Sequence, residues 1–114
     1  MSRDPLQPQR CAQLLSALAA PERLRIVRYL RDGPRNVGEI AAMLKTAPVN
    51  VSHHLTVLRH AGLVRSRKQG RYVLYSLPPG VLQAGSEADR AEHLNLGCCR
   101  LELPPQGERP AEEV

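Results

Sequence analysis

The chain has 114 residues, enough for one hydrophobic core and too few for two. It is 42% apolar but only 3% aromatic, with neither Trp nor Phe, so the core must be built from Leu, Val, Ile and Ala. No apolar run approaches the roughly 20 residues of a membrane span, and residues 1–10 lack the apolar stretch of a secretory signal. Three cysteines, an odd number, argue against a disulfide framework and for a reducing cytoplasm. The net charge of +5 is unevenly spread. Residues 1–80 hold thirteen Lys and Arg against four acids, whereas residues 81–114 hold three against seven. A basic body with an acidic tail suits a polyanionic partner.

Residues 1–8 have two prolines and no periodicity, and read as a mobile lead-in. Cys11, Leu14, Leu15 and Leu18 then fall at helical spacing, predicting a first helix from Gln9 to about Ala20. Pro21 and Glu22 open a second helix with an apolar face of Leu24, Ile26, Val27 and Leu30, which Asp32-Gly33-Pro34 stops. Asn36, with Glu39 three residues on, forms a capping-box pattern before Val37, Ile40, Ala41 and Leu44. After a brief break at Lys45-Thr46-Ala47, a fourth helix runs from Pro48 to about His60 and ends at Gly62. Two short helices joined by so short a turn make a helix-turn-helix.

Beyond Gly62 the period changes from 3.6 to 2. Leu63–Arg67 and Arg71–Leu77 read as two strands joined by a tip at Lys68-Gln69-Gly70, a wing. The fold class is therefore mainly α (α+β): four helices and a two-stranded wing. A C-terminal extension over 83–103 follows this 9–82 domain, then a disordered tail over 104–114 rich in Pro, Glu and Gly. In the extension, leucines on either side of Gly97-Cys98-Cys99 have opposite parity. A short strand with a bulge or bend there would bring them to one side.

With Val51 at zero and 100° per residue, Leu55 and Leu58 lie within about 40° of it, on the buried stripe. Val49, Ser52, His53, Thr56 and His60 face the other way, and Pro48 sits at the leading end. Small or polar and free of acids, that face suits a major groove. Hydroxyls and imidazole can bond base edges, and Val49 can meet a thymine methyl. Arg65, Arg67, Lys68 and Arg71 on the wing suit phosphates or the adjacent minor groove, so double-stranded DNA is the expected partner. An ordinary solvated hairpin is the alternative for those charges, and directly after a helix-turn-helix the DNA reading is preferred. His53 and His54 do not converge on one metal ion, because adjacent helical residues point about 100° apart. His54 is expected to be partly buried and hydrogen-bonded.

The run Val51-Ser52-His53-His54-Leu55-Thr56-Val57-Leu58-Arg59-His60-Ala61-Gly62-Leu63-Val64, with Gly70-Arg71-Tyr72-Val73-Leu74-Tyr75-Ser76-Leu77, resembles the ArsR/SmtB family of winged-helix repressors. Pro21-Glu22-Arg23-Leu24-Arg25-Ile26 resembles the opening of that family's second helix, and the likeness covers roughly residues 11–82. The resemblance implies a homodimeric repressor, not an enzyme, that leaves its operator when a metal, metalloid or other inducer binds. It also implies that Pro48, Val49, Ser52 and His53 face the bases. The chain departs from the family in two places. The third helix lacks sensor cysteines, and residues 81–93, with Gly85 and scant apolar periodicity, do not read as the family's long dimer helix. Asp89, Glu92 and His93 mimic only part of that helix's zinc site.

The family's first helix lies near its C-terminal element. Cys11, Cys98 and Cys99 are therefore candidates for a three-sulfur site taking a soft inducer such as arsenite, cadmium or lead, with no cofactor otherwise required. The same thiols could react with oxidants. The bland alternative is that Cys11 extends the Leu14/Leu18 face as a small hydrophobe. Cys98 and Cys99 do not suit a disulfide with each other, since adjacent Cα atoms lie about 3.8 Å apart. A winged-helix protein-interaction module would show an apolar patch in place of the basic wing. A thiol redox enzyme would need a Cys-x-x-Cys or a Cys–His pair, and neither pattern is present.

Overall fold

Proline and capping chemistry set where the helices begin. The computed structural model describes residues 7–84 and 92–104. Helices α1 (Pro8–Leu18), α2 (Pro21–Tyr29) and α4 (Pro48–His60) each have proline in the first turn, where its missing N–H costs nothing. Helix α3 (Val37–Leu44) starts with the expected capping box. Asn36 Oδ1 accepts from the Glu39 backbone N–H at 2.8 Å, and Glu39 Oε1 accepts from the Asn36 N–H at 2.9 Å. The first helix thus begins at Pro8 and ends two residues before Ala20, and residues 1–6 of the expected lead-in lie outside the described residues. Helix α2 tightens into a 3-10 turn over Leu30–Asp32 before Gly33 reverses the chain.

The turn between α3 and α4 depends on Lys45, a non-glycine residue at φ 56°. Its left-handed conformation lets α4 start only three residues after α3 ends. Gly62, at φ 79°, ends α4, and the Leu63 N–H bonds back to the Leu58 carbonyl at 2.9 Å. The core takes Leu14 and Leu18 from α1, Ile26 and Val27 from α2, Ile40 and Leu44 from α3, and Val51, Leu55 and Leu58 from α4. Leu63 and Val64 complete it from the link to the wing.

Strands β1 (Arg65–Gln69) and β2 (Tyr72–Ser76) pair antiparallel, with Gln69 opposite Tyr72. The tip is therefore Gly70-Arg71, not Lys68-Gln69-Gly70 as the alternation suggested. Gly70 at φ 62° takes the first loop position, as a two-residue turn of the II′ kind requires, and this extends β1 through Lys68 and Gln69. Arg35 adds a short third rung, exchanging two backbone bonds with Tyr75 (3.0 and 2.8 Å).

The C-terminal extension differs most from expectation. Instead of one bent strand it supplies three: β3 (Leu82–Ala84), β4 (Glu92–Asn95) and β5 (Arg100–Leu103), antiparallel in the order β3-β4-β5. The irregularity expected at the cysteines is a full reversal. Asn95 Oδ1 accepts from the Gly97 N–H (2.9 Å), Gly97 stands at φ 86°, and the Leu96 N–H bonds the Cys99 carbonyl (2.9 Å). A reversal brings the leucines to one face, as a bulge would have done, because directly paired residues share a side. Leu94 faces Leu101 across the pair and is fully buried in the domain core. Asp89 and the tail from residue 105 lie outside the described residues.

Candidate nucleic-acid interface and thiol cluster

Helix α4 buries Val51, Leu55 and Leu58 completely and turns its other side to solvent. Pro48, Val49, Ser52, His53, Thr56 and His60 are all exposed, with Val49 at 73% an apolar residue that the fold leaves uncovered. On the wing, Arg65, Arg67, Lys68 and Arg71 are exposed as well. The Arg71 guanidinium lies 6.0 Å from the centre of the Tyr72 ring. Helix face and wing together present cations and hydrogen-bonding groups, and none of these ten residues is acidic. The Thr56 hydroxyl is already engaged, donating to the Ser52 carbonyl at 2.9 Å.

His54 is partly buried on the inner flank of α4, and Arg23 of α2 lies 3.1 Å from its Nδ1. A guanidinium can only donate, so Nδ1 accepts and the ring proton sits on Nε2. Burial first, and the positive Arg23 second, hold this imidazole below its ordinary pKa of 6.5. The same Arg23 donates through Nε to the Ala17 carbonyl at 2.5 Å. It therefore ties the C-terminal end of α1 to α4. Its position in the second-helix motif is plain in the sequence; its two partners, in different helices, are not.

The structure brings Cys11, Cys98 and Cys99 together. Their sulfurs all lie within 4.8 Å of one another, Cys11 from α1 and the other two from the β4–β5 turn. Cys98 and Cys99 sulfurs are 4.0 Å apart, at hydrogen-bonding and not disulfide distance. Cys11 and Cys98, however, form a disulfide, where the odd cysteine count had suggested thiols throughout. Folding places their Cα atoms 6.0 Å apart, inside the range that a disulfide spans. As reduced thiolates the set fits a soft ion. Sulfurs around an ion with bonds of about 2.3 Å sit roughly 4 Å apart, a spacing this cluster can reach with little movement.

The hairpin carrying this cluster is held by an ion triad absent from the sequence reading. Glu92 is 3% exposed, the only buried charged side chain among the described residues. Arg28 gives its Oε1 two bonds, at 3.2 and 3.1 Å, and Arg31 reaches Oε2 at 2.6 Å. The Glu92 hydrogen bond is the main cause that raises the pKa of Arg31, so that guanidinium stays charged. Arg28 also donates to the Pro104 carbonyl just beyond β5. Glu92 is thus an anchor between two guanidinium groups. Its burial follows from parity, since it shares the core-facing side of β4 with Leu94. His93, half-buried on the opposite side of that strand, joins no cluster of metal donors among the described residues.

A helix-turn-helix with an exposed, acid-free second helix and a basic hairpin beside it defines a winged-helix DNA-binding protein. Comparison with known proteins gives the family. Residues 20–66 match the model of the bacterial regulatory protein, arsR family. NmtR of Mycobacterium tuberculosis, an HTH-type transcriptional regulator, is 44% identical over 98 residues, 82% of each chain. The repressor SmtB of the same species is 46% identical over 65 residues, 57% of this chain and 48% of its own length. Among solved structures, the homodimeric winged helix-turn-helix DNA-binding domain Mb0332 of Mycobacterium bovis superposes with a TM-score of 0.60 at 28% identity. That match covers 67% of this chain and 73% of the other. The chain belongs to the ArsR family: it is a DNA-binding transcriptional regulator and not an enzyme.

Proposed function

We propose that this regulator is a homodimeric, cytoplasmic repressor released from its operator when a soft metal or metalloid such as arsenite, cadmium or lead occupies Cys11, Cys98 and Cys99, or when a thiol-reactive compound modifies them. The observation that carries the reading is the convergence of three sulfurs from two distant segments to within 4.8 Å. Reduced, these thiols offer the polarizable donors that soft ions prefer. Binding there draws the start of α1 against the β4–β5 turn. Arg23, bonded to the end of α1 and to His54, passes a shift of α1 to the recognition helix. In this reading Pro48, Val49, Ser52, His53 and Thr56 meet base edges, while Arg65, Arg67, Lys68 and Arg71 hold phosphates or the minor groove. The homodimer of Mb0332 supports two recognition helices about 34–36 Å apart on a palindromic site.

The test is a fluorescence-anisotropy titration on the DNA upstream of the protein's own gene, over a range of salt and with arsenite, cadmium or lead added. Tight, salt-sensitive binding released by one of them in the wild type, but not in the Cys98→Ser/Cys99→Ser variant, is the expected result. Tight binding indifferent to every thiol-seeking ion would leave a repressor without this sensor.

A further inference from the structure

The three sulfurs cannot all serve an ion at once when two of them are bonded together. We infer that Cys11 and Cys98 form a peroxide-oxidisable pair whose disulfide closes the soft-metal site, so that the cluster answers either to an ion or to an oxidant but never to both together. The inference rests on the metal reading above and adds a second input to the same site. Its basis is the bridge itself, with Cα atoms 6.0 Å apart, and the third sulfur, Cys99, standing within 4.8 Å of both partners.

The chemistry balances with a hydroperoxide as oxidant. Hydrogen peroxide takes two electrons and two protons from the thiols of Cys11 and Cys98. Its O–O bond breaks and two waters leave as the S–S bond forms. A disulfide sulfur carries no thiolate charge, so the donor set falls from three to Cys99 alone. Cys99 cannot restore it, because its attack on either bridged sulfur would only move the disulfide and still leave one thiol among the three. Reopening the site therefore requires an outside dithiol, which supplies two electrons and two protons to return both thiols. The bridge joins the same two segments as an ion would, α1 and the β4–β5 turn, and it acts on DNA in the same direction.

The experiment uses the full chain, reduced or treated with one equivalent of hydrogen peroxide. It counts reactive thiols after denaturation, maps the bridge by peptide mass under non-reducing conditions, and follows thiolate-to-Cd²⁺ absorption with Cd²⁺ alone as probe. The expected thiol count falls from three to one, with Cys11 linked to Cys98 within one chain. Cd²⁺ absorption is then lost, and dithiothreitol restores both readings. Cys99→Ser still forms the bridge and ends with no reactive thiol, whereas Cys11→Ser keeps both of its thiols through the same treatment. A bridge between two chains, a Cys98–Cys99 product, or full Cd²⁺ absorption by the oxidised protein would overturn the inference. Absence of Cd²⁺ absorption in the reduced protein would instead overturn the metal reading and the gating built on it. The thiol count would still decide whether the oxidisable pair exists.

Discussion

On the outer face of α4 and on β1 of the wing, the charged and polar side chains stand in water; in the C-terminal hairpin, the carboxylate of Glu92 is buried between Arg28 and Arg31. In the proposed function the first region turns its charge toward a partner outside the molecule, and its side chains are nearly independent of one another. The second spends charge on holding itself in place, and its parts depend on residues more than 60 positions away. Substitutions should therefore separate the two: those in the hairpin act on folding, those on α4 and the wing act on DNA.

The strongest challenge to that contrast is Glu92→Ala. It leaves Arg28, only 18% exposed, without its counter-charge, and should cost about 3–5 kcal/mol in urea unfolding. Glu92→Gln, which retains the shape and one acceptor, should lose less. A loss under about 1 kcal/mol for Glu92→Ala would mean the hairpin is not anchored by this triad. Next in size is Leu94→Ala, the hairpin's fully buried leucine, expected to cost about 3 kcal/mol by the same measurement. If it cost much less, the hairpin would be an appendage and not part of the core.

On the other side of the comparison, His53→Ala and Arg67→Ala should leave unfolding free energy within about 0.5 kcal/mol of wild type. They should differ in anisotropy titrations. Arg67→Ala weakens operator and random DNA alike and lowers the salt slope by about one. His53→Ala narrows the gap between operator and random DNA by about 1 kcal/mol, or roughly fivefold. Equal losses on both DNAs for both variants would erase the division between wing and helix.

The smallest effect expected is the one that crosses the boundary. His54 belongs to α4 yet is partly buried, with its pKa held below 6.5 by burial and by Arg23. The unfolded chain then binds a proton more readily than the native one, so stability is full above pH 6.5 and falls as pH drops from there toward the lower native value. His54→Gln keeps an acceptor for Arg23 and cannot titrate. Chemical unfolding at pH 7.5 and 5.5 should show a smaller decrease for the variant; identical decreases would remove His54 as a source of pH dependence.

The same contrast explains what could be read from the sequence. The Asn36–Glu39 capping box, the Pro48–His60 helix and the solvent-facing choice of Ser52, His53 and Thr56 are set by neighbours within one or two turns. Periodicity and cap chemistry therefore reached them. The wing tip lies further toward the C-terminus than alternation suggests, because alternation does not reveal which loop position Gly70 takes; Gly70 leads the loop and does not end it. From the sequence alone the hairpin reads as a single bent strand. Its register comes from Leu94 entering a core made by residues 14–64, and that pairing leaves no periodic trace. Glu92 looked like a potential metal ligand because only the folded chain brings Arg28 and Arg31 to it. The proximity of Cys11 to Cys98 and Cys99 was suggested by the family likeness, not by spacing along the chain.

Under the proposed function, with α4 in a major groove, the bond from the Thr56 hydroxyl to the Ser52 carbonyl bears on which bases this helix can favour. With its hydrogen committed to the helix backbone, the oxygen offers a groove only lone pairs. It can welcome the amino group of adenine or cytosine, but gains nothing from the carbonyl edge of guanine or thymine. A side chain usually indifferent to base identity becomes, in this setting, a one-way reader.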